Sequence, residues 1–127
     1  MSNLKRTDGL RIRIVFDERG MLGPGKADLL ELIRETGSIA AAGRRLGMSY
    51  KRAWLLVETL NSMFAEQLVE STRGGASHGG ARVTETGDEV LALYRAIEAK
   101  SGAAGKAEIS RLERLLTSRS DDMSRRK

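Results

Sequence analysis

Residues 37–64, GSIAAAGRRLGMSYKRAWLLVETLNSMF, constrain the fold of this chain more than any other stretch. They read as two helices joined by a tight turn. Ser38 is suited to cap the first helix, because its hydroxyl can accept one of the backbone N–H groups that a helix start leaves without a partner. Ile39, Ala42 and Leu46 recur at three- and four-residue spacing and form one apolar face. Gly47 stands where that helix must end, in a left-handed turn that glycine enters without strain. Met48 is apolar and can plug the turn. Ser49 can cap the second helix, whose inner face is Ala53, Leu56, Val57, Leu60 and Phe64. The small residues 40–43 let two helices approach closely at a steep crossing. Together these features specify a helix-turn-helix.

The second helix then presents its first turn outward, as a recognition helix does in the major groove. Tyr50, Lys51 and Arg52 occupy that turn. Lysine and arginine can contact phosphates or guanine edges, and tyrosine can hydrogen-bond a phosphate. The plainer alternative is a helical hairpin with a solvated, charged end. By its angle on the helix, Trp54 falls between the inner and the outer face. It is expected as a core anchor, the alternative being contact of its ring edge with the sugar–phosphate backbone.

With 127 residues the chain has room for one domain and one modest core. Lys plus Arg number 22 against 17 for Asp plus Glu, a net charge of +5 that favours an anionic partner such as nucleic acid. Cysteine is absent, which excludes a disulfide frame, a thiolate metal site and a cysteine nucleophile. No apolar run approaches the ~18 residues that span a bilayer, and the N-terminus has no signal-peptide core, so no membrane partner and a cytoplasmic location are expected. Aromatic residues make up only 4%, too few for the stacking platforms that hold single strands.

Along the chain, residues 1–9 read as a flexible leader. Residues 10–17 alternate Leu10, Ile12, Ile14 and Phe16 with Arg11, Arg13 and Val15, the pattern of a half-buried strand. A turn at 17–20 and a short return through Met21 and Leu22 are expected to follow. Gly20, Gly25 and Lys26 satisfy GxxxxGK after a strand and before a helix, as in a phosphate-binding loop. However, Ala27 stands where a metal-ligating hydroxyl is needed, and the chain has too few strands for a nucleotide-binding sheet. A hairpin end with Pro24 near a helix start is the better reading. Residues 26–36 form a helix with Leu29, Leu30, Leu32 and Ile33 as its apolar side, closed by Gly37.

After Phe64 the period changes. Residues 67–73 and 81–86 are short β-prone runs around a glycine-rich loop at 74–80, a hairpin placed where a wing follows a recognition helix. Arg73, Gly74, Gly75, Ser77, His78, Gly79, Gly80 and Arg82 are the wing candidates, since glycine amides can approach a phosphate closely. An ordinary surface hairpin is the alternative. His78 is the only histidine and lacks partners for a metal site. Thr86 and Glu89 have the spacing of a capping box. The helix they would open carries Val90, Leu93, Tyr94 and Ile97 on one face. Residues 101–105 read as a break, and 108–117 as a further amphipathic piece with Ile109, Leu112, Leu115 and Leu116. These apolar edges point either to a homodimer interface or to packing back onto the first helix. Residues 119–127 read as a disordered tail. No catalytic set is present, so no enzyme activity and no cofactor or metal site is expected.

With these residues in view, the chain resembles the N-terminal DNA-binding domain of the ModE family of molybdate-dependent bacterial regulators. The resemblance covers residues 10–97. It rests on GSI and the small residues at 37–43, GMSYKRAW at 47–54, LVE at 68–70, the double-glycine wing at 74–81, and the run from Thr84 to Tyr94. A more general resemblance to LysR-type regulators rests on the GSI-x-AA-x-x-L segment. The ModE resemblance implies a mainly α fold with a small β component, a winged helix-turn-helix that dimerises. It places a wing along the backbone and a recognition helix in the major groove of double-stranded DNA. The family's oxyanion sensor lies in β-barrel domains beyond the DNA-binding domain, so no molybdate-binding residue carries over to this chain. The chain is accordingly read as a stand-alone domain, or as part of something longer. The expected organisation is a winged helix-turn-helix over 10–100 and a C-terminal helix over 101–118 that can serve dimerisation. Ser49, Tyr50, Lys51 and Arg52 are expected in the major groove, with Ser38, Arg44 and Arg45 on phosphates. A winged helix that grips another protein is the rival expectation.

Overall fold

The computed structural model describes residues 9–72 and 80–117. Among them the order is β1 (Ile14–Val15), β2 (Met21–Leu22), α1 (Pro24–Thr36), α2 (Ile39–Arg45), α3 (Tyr50–Met63), β3 (Val69–Thr72), β4 (Gly80–Val83), α4 (Glu85–Ala104) and α5 (Lys106–Leu115). Strands pair only as two antiparallel hairpins, β1 with β2 and β3 with β4. This is the winged helix-turn-helix arrangement that the sequence implies.

The first helix is the pillar of the core. Pro24 occupies its first turn, where a missing N–H costs nothing. Ala27, Leu29, Leu30, Leu32 and Ile33 are all buried, because α2, α3, α4 and β4 surround this helix. Gly37 ends it in a left-handed conformation (φ 71°), donating its N–H to the Ile33 carbonyl. Its own carbonyl accepts from Ala81 N at 2.9 Å, which ties strand β4 to the junction between α1 and α2.

The N-terminal segment alternates as expected, with Ile12, Ile14 and Phe16 half-buried and Arg11, Arg13 and Val15 exposed. Its strand is shorter than 10–17, however. The partner β2 offers only Met21 and Leu22 before α1 begins, so the ladder stops there. The rest is held by side chains. Tyr94 Oη donates to the Ile12 carbonyl at 2.6 Å, and Phe16 packs edge-to-face on Phe64 at 6.3 Å.

Helix α4 departs from the expected capping. Thr84, not Thr86, is the cap: its hydroxyl accepts from Gly87 N at 3.0 Å, and its carbonyl accepts from Asp88 N. β4 delivers Thr84 in extended conformation straight into the helix, which therefore opens upstream of the Thr86–Glu89 pair. Thr86 instead donates to Glu66. Gly87 is buried, and a methyl group there would collide with the Leu68 carbonyl and Val83. That contact sets the rotation of α4, so Leu91 and Tyr94 face the core, while Leu93 is 57% exposed and Ile97 lies outside as well. The expected break at 101–105 shrinks to Gly105. Alanines at 103 and 104 are strong helix formers, and one glycine at 102 is a small cost against them. α5 buries none of its residues, and Leu112 and Leu115 on it are exposed.

Candidate nucleic-acid interface

The corner between α2 and α3 is built by close approach. A Cβ at Gly43 would stand 2.9 Å from the Ala53 methyl, so only glycine lets the helices meet at this depth. Gly47 turns the chain at φ 74°, and Met48 N donates back to the Gly43 carbonyl at 2.9 Å. Met48 itself packs against the core, the plug its position suggests. Both caps form: Ser38 Oγ accepts from Ala41 N at 3.0 Å and Ser49 Oγ from Arg52 N at 3.1 Å. Each hydroxyl still has its own proton to donate, so capping and a phosphate contact are compatible.

Ala53, Val57 and Leu60 are buried and Leu56 and Phe64 half-buried, which fixes the outer face of α3. Tyr50, Lys51 and Arg52 are exposed on its first turn. Arg44 and Arg45 lie exposed at the end of α2, beside the same corner. Arg45 reaches Glu35 at 3.5 Å, a solvent-exposed pair of small worth. Arg44, Lys51 and Arg52 have no acidic partner among the described residues. Trp54 is not the expected core anchor. It is 41% exposed, because Ala53, Val57 and Leu60 already fill the inner side of α3, which packs on α2 and α1.

On the hairpin, β3 and β4 pair in the register Val69↔Val83, Glu70↔Arg82, Ser71↔Ala81 and Thr72↔Gly80. Arg82 is not a free cation, since its guanidinium meets Glu70 across the strands at 2.5 Å. Gly80 opens β4, where a side chain would strike the Thr72 hydroxyl. Arg73, Gly74, Gly75, Ser77, His78 and Gly79 lie outside the described residues. The hairpin is held to α3 by Asn61, whose Oδ1 accepts from Leu68 N at 2.8 Å and Val69 N at 3.1 Å while Nδ2 donates to the Val69 carbonyl at 3.0 Å. Sequence reading overlooked Asn61; the only signal was a polar residue beside the buried Leu60 just before a β-prone run.

Other polar groupings are structural. Lys26 donates to the Met21 carbonyl at 2.9 Å and closes the hairpin end, with burial lowering its pKa. A cleft of about 470 Å³ runs between the N-terminal segment, α1 and α4. Its carboxylates Asp28, Glu31 and Glu98 all bind Arg95, at 2.9, 2.7 and 3.1 Å. Burial alone would lower the Arg95 pKa, but these hydrogen bonds outweigh it and raise it above arginine's usual value. No described helix is long and apolar enough to cross a membrane.

This geometry agrees with the chain's relatives. The bacterial regulatory helix-turn-helix proteins of the lysR family match residues 26–88, from α1 into α4 and well beyond the GSI segment. The chain is 45% identical over 86 residues to the molybdenum-pterin-binding protein MopA of Rhodobacter capsulatus, covering 68% of this chain and 31% of that protein. It is 36% identical over 88 residues to the molybdenum transport protein ModE of Azotobacter vinelandii, covering 69% and 33%. With the transcriptional regulator ModE of Yersinia pestis the identity is 35% over 83 residues, covering 65% and 32%. This is a helix-turn-helix domain of the ModE type. The alignments span about a third of the length of these relatives. What is ModE-like here is therefore the domain itself, with its α2–α3 corner and its hairpin.

Proposed function

We propose that the chain is a sequence-specific, double-stranded-DNA-binding transcriptional regulator that acts as a homodimer on an inverted repeat in the cytoplasm. One observation carries the reading. The first turn of α3 projects from the corner with Lys51 and Arg52 exposed and without acidic partners among the described residues, next to Arg44. The helix enters the major groove with this end first, and Ser49, Tyr50, Lys51 and Arg52 meet base edges and the nearest phosphates. Ser38, Arg44 and Arg45 hold the flanking backbone. Regulation of molybdenum-related genes is the target class that the ModE and MopA likeness suggests.

Support for a dimer comes from the C-terminal helices. Leu93, Ile97, Leu112 and Leu115 on α4 and α5, and Leu116 just after α5, are exposed, leaving apolar surface that a second copy of the chain would cover. Such a dimer would set its recognition helices roughly 34 Å apart, one duplex turn.

Selection from a random duplex library tests the reading. Enrichment of an inverted repeat with half-sites one turn apart is the expected result. The apolar Trp54 and Leu55 on α3 favour one rival, a winged helix that grips another protein. A pool without an enriched motif, together with a partner complex insensitive to salt, would establish that rival. DNA binding, by contrast, should lose about 0.9 in logarithmic salt slope for each phosphate contact removed.

A further inference from the structure

The outer line of α3 holds more than its cationic first turn. With 3.6 residues per turn, Lys51, Leu55 and Glu58 stack on one line, opposite Ala53, Val57 and Leu60. Arg52 and Thr59 lie on one flank of that line, Tyr50 and Trp54 on the other. A recognition helix lying in the groove aims its central line at the base edges and its flanks at the two backbones. Leu55 is on the central line and 50% exposed, one turn beyond Lys51.

We propose that Leu55 is a base-reading residue whose side chain packs on the C5-methyl group of a thymine in each half-site. This rests on the DNA-binding reading and adds to it a named specificity contact. Charge and chemistry favour a base edge over backbone at this line. Leucine has nothing to offer a phosphate, and Glu58, next on the line, would repel one. Thr59, in the same turn, donates its hydroxyl proton to the Leu55 carbonyl at 3.0 Å. That bond occupies the Thr59 hydroxyl, and Leu55 is left as the apolar group on this line. Leu55 also borders a shallow hollow of about 230 Å³, shared with Ser49, Lys51, Arg52, Leu56 and Thr59, continuous with the cationic turn. In the major groove only thymine offers a methyl group, so an aliphatic side chain at this point distinguishes A·T from the other pairs.

The test uses the full chain and the duplex selected by the wild-type protein. Each thymine of one half-site is replaced singly by deoxyuridine, which lacks only the methyl group. One position should weaken wild-type binding by roughly fourfold, the worth of one buried methyl. Leu55→Ala should bind the thymine and uracil duplexes equally and accept other bases at that position, with its melting temperature unchanged because Leu55 is outside the core. Three results would overturn the inference: no thymine position sensitive to its methyl, an equal uracil penalty for Leu55→Ala, or no thymine in the selected half-site. Failure of the wild type to enrich any duplex would remove the DNA-binding reading itself, and this inference with it.

Discussion

Asn61 and Gly43 each fix one part of the candidate interface from behind. Asn61 commits both ends of its amide to strand β3, so the hairpin is registered against the helix that precedes it. Asn61→Ala leaves two backbone N–H groups in search of partners. The expected cost is about 1–3 kcal/mol, read as a lower denaturation midpoint at unchanged slope. Gly43 sets the distance between α2 and α3. Gly43→Val forces the helices apart and should cost roughly 1–3 kcal/mol by overpacking. It should also weaken DNA binding, since the caps and cations of α3 ride on that contact. A variant with wild-type stability would contradict the tight crossing.

Among the elements, the two helices of the corner were the most legible. Ser38, Gly47 and Ser49 each follow a local rule, and local rules survive folding because they depend only on adjacent backbone. Helix α4 was harder for the opposite reason. Thr86 and Glu89 satisfy a capping pattern, but β4 brings Thr84 to the helix start first, and Gly87 wedges against Leu68 to set the rotation. Neither strand placement nor a distant carbonyl is written in the helix's own periodicity. Trp54 failed similarly: a large aromatic suggests core, yet the inner face of α3 was already filled by Ala53, Val57 and Leu60. In the hairpin, the two β-prone runs were legible as strands, whereas the clamp by Asn61 needed three dimensions. At α5, Leu112 and Leu115 are 61% and 62% exposed. If the proposed dimer is built on α5, Leu112→Glu with Leu115→Glu should leave a monomer in light scattering where the wild type has twice that mass, without lowering the melting temperature. An unchanged mass, or a wild type that is already monomeric, would contradict a dimer built on α5.

On the scale of the whole molecule, charge is sorted. Arg95 gathers Asp28, Glu31 and Glu98 at the cleft beside α4, while Arg44, Lys51 and Arg52 stay unpaired among the described residues at the corner. A net charge of +5 thus counts for more at the interface than its average suggests. Specific binding through this corner is the central claim. Its most direct test compares the dissociation constants for the selected duplex and for a scrambled one, in the wild type and in Lys51→Ala and Arg52→Ala. The wild type should favour the selected duplex by about 10³ or more at physiological salt. A substitution that removes a base contact should cost about 1–3 kcal/mol on the selected duplex and reduce that ratio. Equal wild-type affinity for the two duplexes, or a ratio untouched by both substitutions, would contradict the claim.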